Sequence, residues 1–341
     1  MKNNSVYSEI LLDFQREHST IELVANQSRI LLIPELQGKV MAVSDEGASG
    51  AAVFPGSLYC SKLELLPAEE SCGLTINDQR FDKAMIPVTA EETSVPSLLT
   101  DPWNVIEVSP ETATFQQIAD FSLNDSLLLP VELIRRVTII DPEEIADIFP
   151  VSPSPTTKTV VYESLNQLKN NGTEPWTTQQ GFPVLKLETV RPVSGEALLI
   201  LELTSSSIET LEKNKVSFYT RGKYTLIALD HLAGRSLQFP ASQAPAMLGI
   251  FEPVQSELFL LFYSLDRTMS ATAMAVAHIV DHPALKIAVD EQVSSCHLET
   301  YAPPVALDAG EIRFHSQRIF HFRDSATELS YLLSTFMKVG L

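Results

Sequence analysis

Residues 295–322 carry the pattern that decides the fold class, and they read SCHLETYAPPVALDAGEIRFHSQRIFHF. Polar and apolar residues alternate over 296–301, which is typical of a β-strand with two different faces. A turn containing glycine at 309–310 separates this strand from a second alternating run that begins at Glu311. This stretch therefore predicts two β-strands joined by an irregular segment.

Alternation also assigns the side chains of both strands to faces. In the first strand His297, Glu299 and Tyr301 share one face, while Leu298 belongs to the other face and is expected to point into the core. Glu299 is then expected to face a cavity or solvent. The second strand is expected to bury the face of Ile312, Phe314, Phe320 and Phe322 and to expose the polar face of Arg313, His315, Gln317 and His321.

Five more segments have strand length and are rich in β-branched residues or leucine, and turn residues bound most of them. They are Val131–Ile140, Val184–Val190, Ala197–Leu203, Tyr224–Leu229 and Glu257–Leu265. The dominant period along the chain is thus two, rather than the 3.6 of a helix. Many short strands at this spacing predict an all-β fold, an antiparallel sandwich or barrel.

Two amphipathic segments predict short helices near the ends of the chain. Residues 5–17 place apolar side chains on one stripe, namely Val6, Ile10, Leu11 and Phe14. Ser325 and Glu328 form a capping-box pattern, in which the serine accepts from first-turn N–H groups and the glutamate reaches back. We expect both helices to cover edges or ends of the sheets.

The chain is predicted to form one domain. Its 341 residues would suggest roughly two domains at about 150 residues each, but no repeat or convincing linker is present. Residues 152–157, Ser-Pro-Ser-Pro-Thr-Thr, are the best boundary candidate and are short enough to be a surface loop. We therefore expect a single domain over 1–341, with an N-terminal helical extension over 1–18 and a C-terminal helix over 325–338.

Composition excludes several classes of partner. Lys and Arg number 24 against 43 Asp and Glu, which gives a formal net charge of −19, and hydrophobic residues make up 45% of the chain. So acidic a chain is not expected to bind nucleic acid, because phosphate contacts require clustered Lys and Arg. An anionic membrane surface is disfavoured for the same reason.

The cysteines and the N-terminal residues favour a cytoplasmic location. Cys60, Cys72 and Cys296 show no metal-ligand spacing and are expected to be reduced, mostly buried thiols. Three acidic residues within the first 17 positions interrupt what would have to be the apolar core of a signal peptide. We expect no targeting signal and no membrane-spanning segment.

Motifs for metals and cofactors are weak. Residues 278–282, His-Ile-Val-Asp-His, resemble a zinc-protease pattern, but Pro283 follows at once and no third ligand is evident. The chain has no phosphate-binding loop, dinucleotide fingerprint or Gly-x-Ser-x-Gly elbow. No metal and no cofactor are therefore predicted.

Taken in order, several segments resemble a known superfamily. They are Leu298-Glu299-Thr300, Pro304, Leu307-Asp308-Ala309-Gly310-Glu311 and the strand ending Phe320-His321-Phe322. This run is similar to the C-terminal signature of the galactose-mutarotase-like, or aldose 1-epimerase, supersandwich superfamily. A group of uncharacterised bacterial proteins within it is more similar still, through Ile33–Met41, Leu133–Val137, Trp176 with Gly181, and Leu307–Phe322.

The resemblance implies a large antiparallel β-supersandwich and a catalytic role for one carboxylate. In aldose epimerases the glutamate of the Leu-Glu pair is a general base for the anomeric hydroxyl, and a histidine protonates the ring oxygen. Glu299 matches the base position. The superfamily's His-Gly and Asn-His motifs are absent, so the acid would have to be another residue. His231, in ALDHLAG at the end of a predicted strand, is the candidate.

Five residues are candidate ligand contacts. Arg136 holds the superfamily position that could clamp a ligand hydroxyl or carboxylate, and Trp176 and Tyr301 could stack on a sugar. His297 and His315 supply polar groups on the strand faces described above. Each has a structural alternative, because an aromatic residue in a β-protein is commonly core and an imidazole commonly lies at the surface.

Two functions follow from the resemblance. The first is a carbohydrate-binding protein of the galactose-mutarotase-like type that lacks ordinary mutarotase activity. The alternative is an aldose 1-epimerase-like isomerase with Glu299 as general base. The expected partner in both cases is a small-molecule carbohydrate, and the oligomeric state is left open.

Overall fold

Most of the chain is described by the computed structural model. The residues described are 6–50, 52–53, 70–77, 102–124, 127–145, 149, 151–177, 182–202, 205–265, 283–302 and 306–339. Within them the chain forms nineteen β-strands and three α-helices. The strands belong to two large sheets, and all the strand pairs described are antiparallel.

The first sheet contains nine of these strands. In spatial order they are β1 (Ile21–Ala25), β2 (Ser28–Ile33), β3 (Lys39–Ser44), β5 (Glu70–Asn77), β10 (Phe182–Pro192), β18 (Ser295–Tyr301), β17 (Pro283–Val289) and β14 (Arg235–Pro240), while β4 (Ala52–Val53) pairs with β3. The segment predicted as a strand from 296 onward is therefore a central strand of this sheet, with neighbours on both sides.

The second sheet contains the other ten strands. In spatial order they are β12 (Tyr219–Arg221), β13 (Tyr224–Ala228), β11 (Leu198–Glu202), β15 (Met247–Glu252), β16 (Glu257–Tyr263), β19 (Ile312–Arg323), β9 (Lys158–Asn170), β8 (Leu127–Ile140), β7 (Thr112–Asn124) and β6 (Asn104–Val108). All five additional predicted strands are confirmed within these two sheets. The all-β prediction is likewise confirmed.

The two sheets stack face to face around the main hydrophobic core. Apolar side chains from the first sheet, such as Leu187 and Leu298, belong to one buried cluster with Phe115 and Leu199 of the second. Burial of this apolar surface is the main favourable contribution to folding. Each sheet therefore has an inner face that contacts the other sheet and an outer face that does not.

Helices cover parts of both outer faces. In α1 (Tyr7–Gln15) Ile10 and Phe14 pack against Met41 of the first sheet, and in α3 (Ala326–Val339) Phe336 belongs to one cluster with Phe320 of the second. Both terminal helices were predicted, but they lie on sheet faces rather than at edges or ends. The third helix, α2 (Ser205–Lys213), was not predicted.

The start of α3 confirms half of the predicted capping box. The hydroxyl of Ser325 accepts from the backbone N–H of Glu328 at 3.2 Å, as expected for an N-cap serine. The backbone N–H of Ser325 donates instead to the Asp324 carboxylate at 2.7 Å. Asp324 thus satisfies the donor that Glu328 was expected to reach.

The predicted faces of β19 were wrong. His315 and Gln317 point to the inner face and are buried, whereas Phe314 is 54% exposed on the outer face. Phe320 and Phe322 do lie on the outer face, but α3 buries them. Both faces of this central strand are covered along part of its length, so hydrophobicity alone does not distinguish them.

No helix among the residues described is long and apolar enough to cross a membrane. The thiol of Cys296 is buried and free, and burial raises its pKa to about 12, so it stays protonated. Cys60 and the side chain of Cys72 lie outside the described residues, as does the 278–282 motif. That residues 1–341 form a single domain stays a prediction.

Candidate functional site

Three neighbouring strands bring the predicted site residues of β18 next to charged residues from other parts of the chain. The register places Glu299 between Glu188 of β10 and Lys286 of β17. Tyr301 lies beside Lys186 of β10 in the same way. Because side chains directly opposite one another in an antiparallel pair share a face, these residues form one polar patch.

The patch lies on the outer face of the first sheet, since the other side of β18 contacts the second sheet. Leu298 is in the main core, and Thr300 hydrogen-bonds to His315 across the two sheets at 2.9 Å. We name the patch the outer cluster, and its members are Lys39, Lys186, Glu188, Lys286, His297, Glu299 and Tyr301. The prediction that His297, Glu299 and Tyr301 share a face opposite Leu298 is confirmed.

Glu299 is the central carboxylate of the outer cluster and is 6% exposed. One oxygen, Oε1, pairs with Lys286 Nζ at 2.9 Å, and the other, Oε2, accepts from the Tyr301 hydroxyl. Lys186 Nζ lies 4.0 Å from Oε2. Both oxygens are therefore engaged, and two lysine side chains approach the same carboxylate.

Glu188 and His297 form a second pair beside it. His297 Nδ1 lies 3.0 Å from Glu188 Oε1, and this hydrogen bond to Glu188 raises the pKa of His297 despite partial burial. Burial acts to raise the pKa of Glu188, but the hydrogen bond from His297 and the charges of Lys186 and Lys286 outweigh it and lower that pKa. The geometry thus favours the doubly charged pair.

Lys39 adds a third lysine from β3. Side chains alternate along β3: Val40 points into the core, and Met41 contacts α1 on the outer face. Lys39, two residues before Met41, therefore lies on the outer face as well. Burial lowers the pKa of Lys39, and the Glu188 carboxylate opposes this effect. Within the described part of the chain, Lys39 makes no ion pair at salt-bridge distance.

The His297–Glu188 pair makes a testable prediction. An NMR titration of the His297 imidazole is expected to give a midpoint above the ordinary 6.5, because Glu188 stabilises the charged ring. Glu188→Gln is expected to lower that midpoint. Glu163→Gln is the control, since Glu163 pairs with Arg318 on the second sheet. A wild-type midpoint at or below 6.5, or one unmoved by Glu188→Gln, would contradict the pairing.

The chemistry open to the outer cluster is hydrogen bonding with charged groups on both sides. Ammonium and hydroxyl donors and carboxylate acceptors are the groups that recognise sugar hydroxyls. Each Glu299 oxygen binds one donor and keeps a further lone pair, but sugar ring opening also needs an acid on the other side of the ligand. His297 lies two residues away on the same strand, about 7 Å along it, rather than across a ligand from Glu299.

The structure does not bring His231 to Glu299. His231 lies in a short 3₁₀ turn (Leu229–Leu232) that connects β13 of the second sheet to β14 of the first. Its side chain is exposed and lies 3.8 Å from Asp230. Ala233, two residues later, bridges to Val289. Glu299 pairs with Lys286, which lies three residues from Val289 on β17. The backbone near His231 is therefore about 10 Å from Glu299 along the strand direction. The position of His231 gives no support for its role as the acid.

Arg136 lies on the wrong side of the molecule to join Glu299. It is exposed on the outer face of the second sheet, whereas Glu299 is on the outer face of the first. The neighbouring Arg135 points inward instead, with its guanidinium donating to the Gly38 carbonyl at 3.1 Å and to Asn166 at 3.1 Å. A single ligand therefore does not contact both Arg136 and the outer cluster.

His315 belongs to a buried polar network between the sheets and not to the outer cluster. Its two ring nitrogens hydrogen-bond to Thr300 at 2.9 Å and Ser264 at 3.0 Å. Gln317 donates to the same Thr300 hydroxyl at 2.8 Å. Burial lowers the pKa of His315 to about 4, so the ring is neutral near pH 7. Its predicted ligand contact is not supported, because the sheet itself separates it from Glu299.

Trp176 is a core residue. Its side chain is 2% exposed and belongs to the main hydrophobic core. Its backbone N–H donates to the carbonyl of Leu307 at 2.8 Å, in an isolated β-bridge. An indole ring in this position is not accessible to stack on a sugar, which agrees with the structural alternative for this residue.

Four members of the outer cluster were missed by sequence reasoning: Lys39, Lys186, Glu188 and Lys286. A local signal existed for two of them, because Lys186 and Glu188 alternate with Leu185 and Leu187 in a predicted strand. That alternation shows an outer face but does not show which strand lies beside it. Pairing between β10 and β18 joins residues more than one hundred positions apart.

Comparison with solved structures identifies the class of fold as galactose-mutarotase-like. A galactose mutarotase-like protein from Lactobacillus casei ATCC 334 superposes with a TM-score of 0.54 at 11% identity, covering 89% of this chain and 100% of that one. The Slr1438 protein from Synechocystis sp. PCC 6803 gives 0.54 at 10% identity, covering 90% and 97%. A galactose mutarotase related enzyme from Lactobacillus acidophilus gives 0.52 at 8% identity, covering 90% and 98%.

The chain belongs to the family of unknown function DUF6786, whose family model matches residues 80–275. Lys186 and Glu188 of the outer cluster lie within the matched region, and the residues of β17 and β18 lie beyond it. No curated protein matches the sequence. The superpositions establish a shared fold. At such low sequence identities they carry no information about activity.

Metal-ligating groups do not converge in the part of the chain that is described: no three His, Cys, Asp or Glu side chains there could hold a metal ion together. The outer cluster itself mixes lysines with its carboxylates, and ammonium groups do not ligate metals because they have no lone pair. Its chemistry is therefore that of hydrogen bonds and ion pairs.

Proposed function

We propose that this protein binds a small-molecule carbohydrate at the outer cluster and does not catalyse ordinary mutarotation. The observation that carries the proposal is the geometry of Glu299, whose two oxygens bind Lys286 and Tyr301. A carboxylate held in this way can accept hydrogen bonds from ligand hydroxyls. Mutarotation would also need an acid on the other side of the ligand, and neither His297, on the same strand, nor His231 has that position.

Two further features support a binding site at this position. Glu299 is the residue that resembles the superfamily's catalytic glutamate, so the same place on the same fold would contact the sugar. The cluster also concentrates donors and acceptors on a sheet face, and rigid strands hold such groups in fixed positions. We propose a cytoplasmic location for the protein, from its free buried thiol.

Saturation-transfer NMR with monosaccharides tests the binding proposal. We expect signals from bound sugar with the wild-type protein and their loss in Glu299→Gln, because Gln keeps the shape but removes the charge that orders Lys286 and Tyr301. Glu202→Gln is the matched control, since Glu202 also pairs with a lysine, Lys223 at 2.8 Å, but on the second sheet. Absence of signal for every sugar, or equal signal in Glu299→Gln, would refute the proposal.

The alternative function, an aldose 1-epimerase-like isomerase, is tested in the same preparations. Polarimetry of freshly dissolved α-D-glucose or α-D-galactose is expected to show anomer exchange no faster than in buffer. General acid and base groups each contribute about 10²–10⁴-fold, so an active enzyme would be obvious. A fast rate abolished by both Glu299→Gln and His231→Asn would establish the isomerase, with His231 as acid.

A further inference from the structure

The outer cluster has an excess of positive charge within a strongly acidic chain. Among the residues that the structure describes, three lysines, Lys39, Lys186 and Lys286, face two carboxylates, Glu188 and Glu299, before His297 is counted. The whole chain carries a formal charge of −19. A locally basic site in such a protein attracts anions that the rest of the surface repels.

We propose that the ligand of the outer cluster is an anionic sugar, one that carries a carboxylate or a phosphate group, and that the three lysines bind its negative group. This inference rests on the proposed carbohydrate-binding function and specifies its substrate class. The neutral part of the sugar would then contact Glu299, Glu188 and Tyr301. A carboxylate and a phosphate group both present negatively charged oxygens to the lysines.

Lys39 is the residue that most clearly requires an anion. Lys286 pairs with Glu299 at 2.9 Å, and His297 pairs with Glu188 at 3.0 Å. The Lys39 side chain reaches the same face from β3, and among the described residues its one attraction is the longer-range one of Glu188, a carboxylate already paired with His297. Since burial disfavours its charged form, a bound oxyanion would stabilise Lys39.

The arrangement of the strands places these charges around one point. Lys186 and Lys286 come from β10 and β17, on either side of β18, and both approach the Glu299 carboxylate, at 4.0 and 2.9 Å. Strands β10 and β17 are two strand spacings apart, or about 10 Å. Charged side chains from both sides therefore flank Glu299, which gives a ligand both ammonium donors and a carboxylate acceptor.

Isothermal titration calorimetry of the full chain with matched ligands tests the inference. The probes are D-glucose, D-glucuronate, D-glucose 6-phosphate and inorganic phosphate. At least one anionic sugar is expected to bind about tenfold or more tightly than glucose, because charge-assisted hydrogen bonds are the stronger ones. Added NaCl is expected to weaken that binding and to leave glucose binding unchanged. The stronger of glucuronate and glucose 6-phosphate identifies the oxyanion.

Lysine variants test which residues bind the negative group of the sugar. Lys39→Met is expected to weaken binding of the anionic sugar about tenfold, and it leaves the Lys286–Glu299 pair in place. Lys286→Met tests the second lysine, with thermal melting as a check that the variant folds. Lys223→Met, which removes a lysine paired with Glu202 on the second sheet, is the control and is expected to change neither affinity.

The outcomes separate this inference from the function on which it rests. If glucose binds as tightly as both anionic sugars, the charge inference is wrong while carbohydrate binding stands. If inorganic phosphate binds as tightly as glucose 6-phosphate, the cluster is a simple anion site and the inference is again wrong. If no sugar of either kind binds, the proposed function fails and the inference fails with it.

Discussion

Asn166→Leu is expected to lower the free energy of unfolding by about 3 kcal/mol, because it removes an acceptor from a buried guanidinium. Asn166 is fully buried between the sheets, and its Oδ1 accepts from Arg135 Nη1 at 3.1 Å. Its Nδ2 donates to Ser164 Oγ at 3.1 Å. Leu has the same number and branching of side-chain heavy atoms, so the loss would report the missing hydrogen bonds rather than a cavity. Urea denaturation monitored by circular dichroism measures it.

Two further variants make the cause of that loss explicit. Gln167→Leu is the matched control, since Gln167 is next in the chain but lies half-buried on the outer face, and it is expected to change stability by less than about 0.5 kcal/mol. Adding Arg135→Met to Asn166→Leu is expected to restore part of the stability, because the guanidinium that lost its acceptor is then absent. A double variant less stable than Asn166→Leu would contradict the argument.

Gly38→Ala is expected to be the second strongly destabilising change, by about 3 kcal/mol. Gly38 has φ +62°, in the left-handed region, and a Cβ there would lie 2.6 Å from the ring of Phe115. Phe115 is fully buried in the main core, so its ring has little room to move. The effect thus combines backbone strain with overpacking, and chemical denaturation of the purified variant measures their sum.

Gly222→Ala separates those two contributions. Gly222 has the same φ of +62°, but nothing lies within 4 Å of the added Cβ. Strain alone is therefore expected there, at about 1 kcal/mol. Equal losses in the two variants would show that the contact with Phe115 contributes nothing, and the account of Gly38 would be wrong.

Strand positions and the face of Glu299 could be predicted from the sequence because both depend on neighbouring residues. The alternation from Cys296 to Tyr301 is complete within six positions, and β18 follows it, with Leu298 in the core and Glu299 outside. The helix start at Ser325 is equally local, since its hydroxyl bonds a backbone N–H three residues on. The resemblance to galactose-mutarotase-like proteins added the supersandwich fold, and the fold comparison confirms it.

The composition of the candidate site could not be predicted in the same way. His297, Glu299 and Tyr301 were identified, but Lys186 and Lys286 reach Glu299 only because β10 and β17 pair with β18. Arg136 and Trp176 matched positions in a linear pattern, and the structure places one on the other sheet's outer face and the other in the core. Register between strands depends on contacts across the whole chain, which a single sequence does not show.

The sequence by itself determined that this protein is built of antiparallel strands with an apolar and a polar side, because extended backbone sends successive side chains to opposite faces. Only the tertiary structure decided what covers each side. His315 and Gln317 of β19 are polar and yet buried, since the first sheet lies over them and Thr300 supplies their hydrogen bonds. Glu299 is also buried, but on the outer face of the first sheet, where lysines from two other strands approach it. Whether a polar side chain is buried between the sheets or on an outer face depends on residues that are distant in the chain. Burial of a polar group is stable only where its hydrogen-bond partners are brought to it.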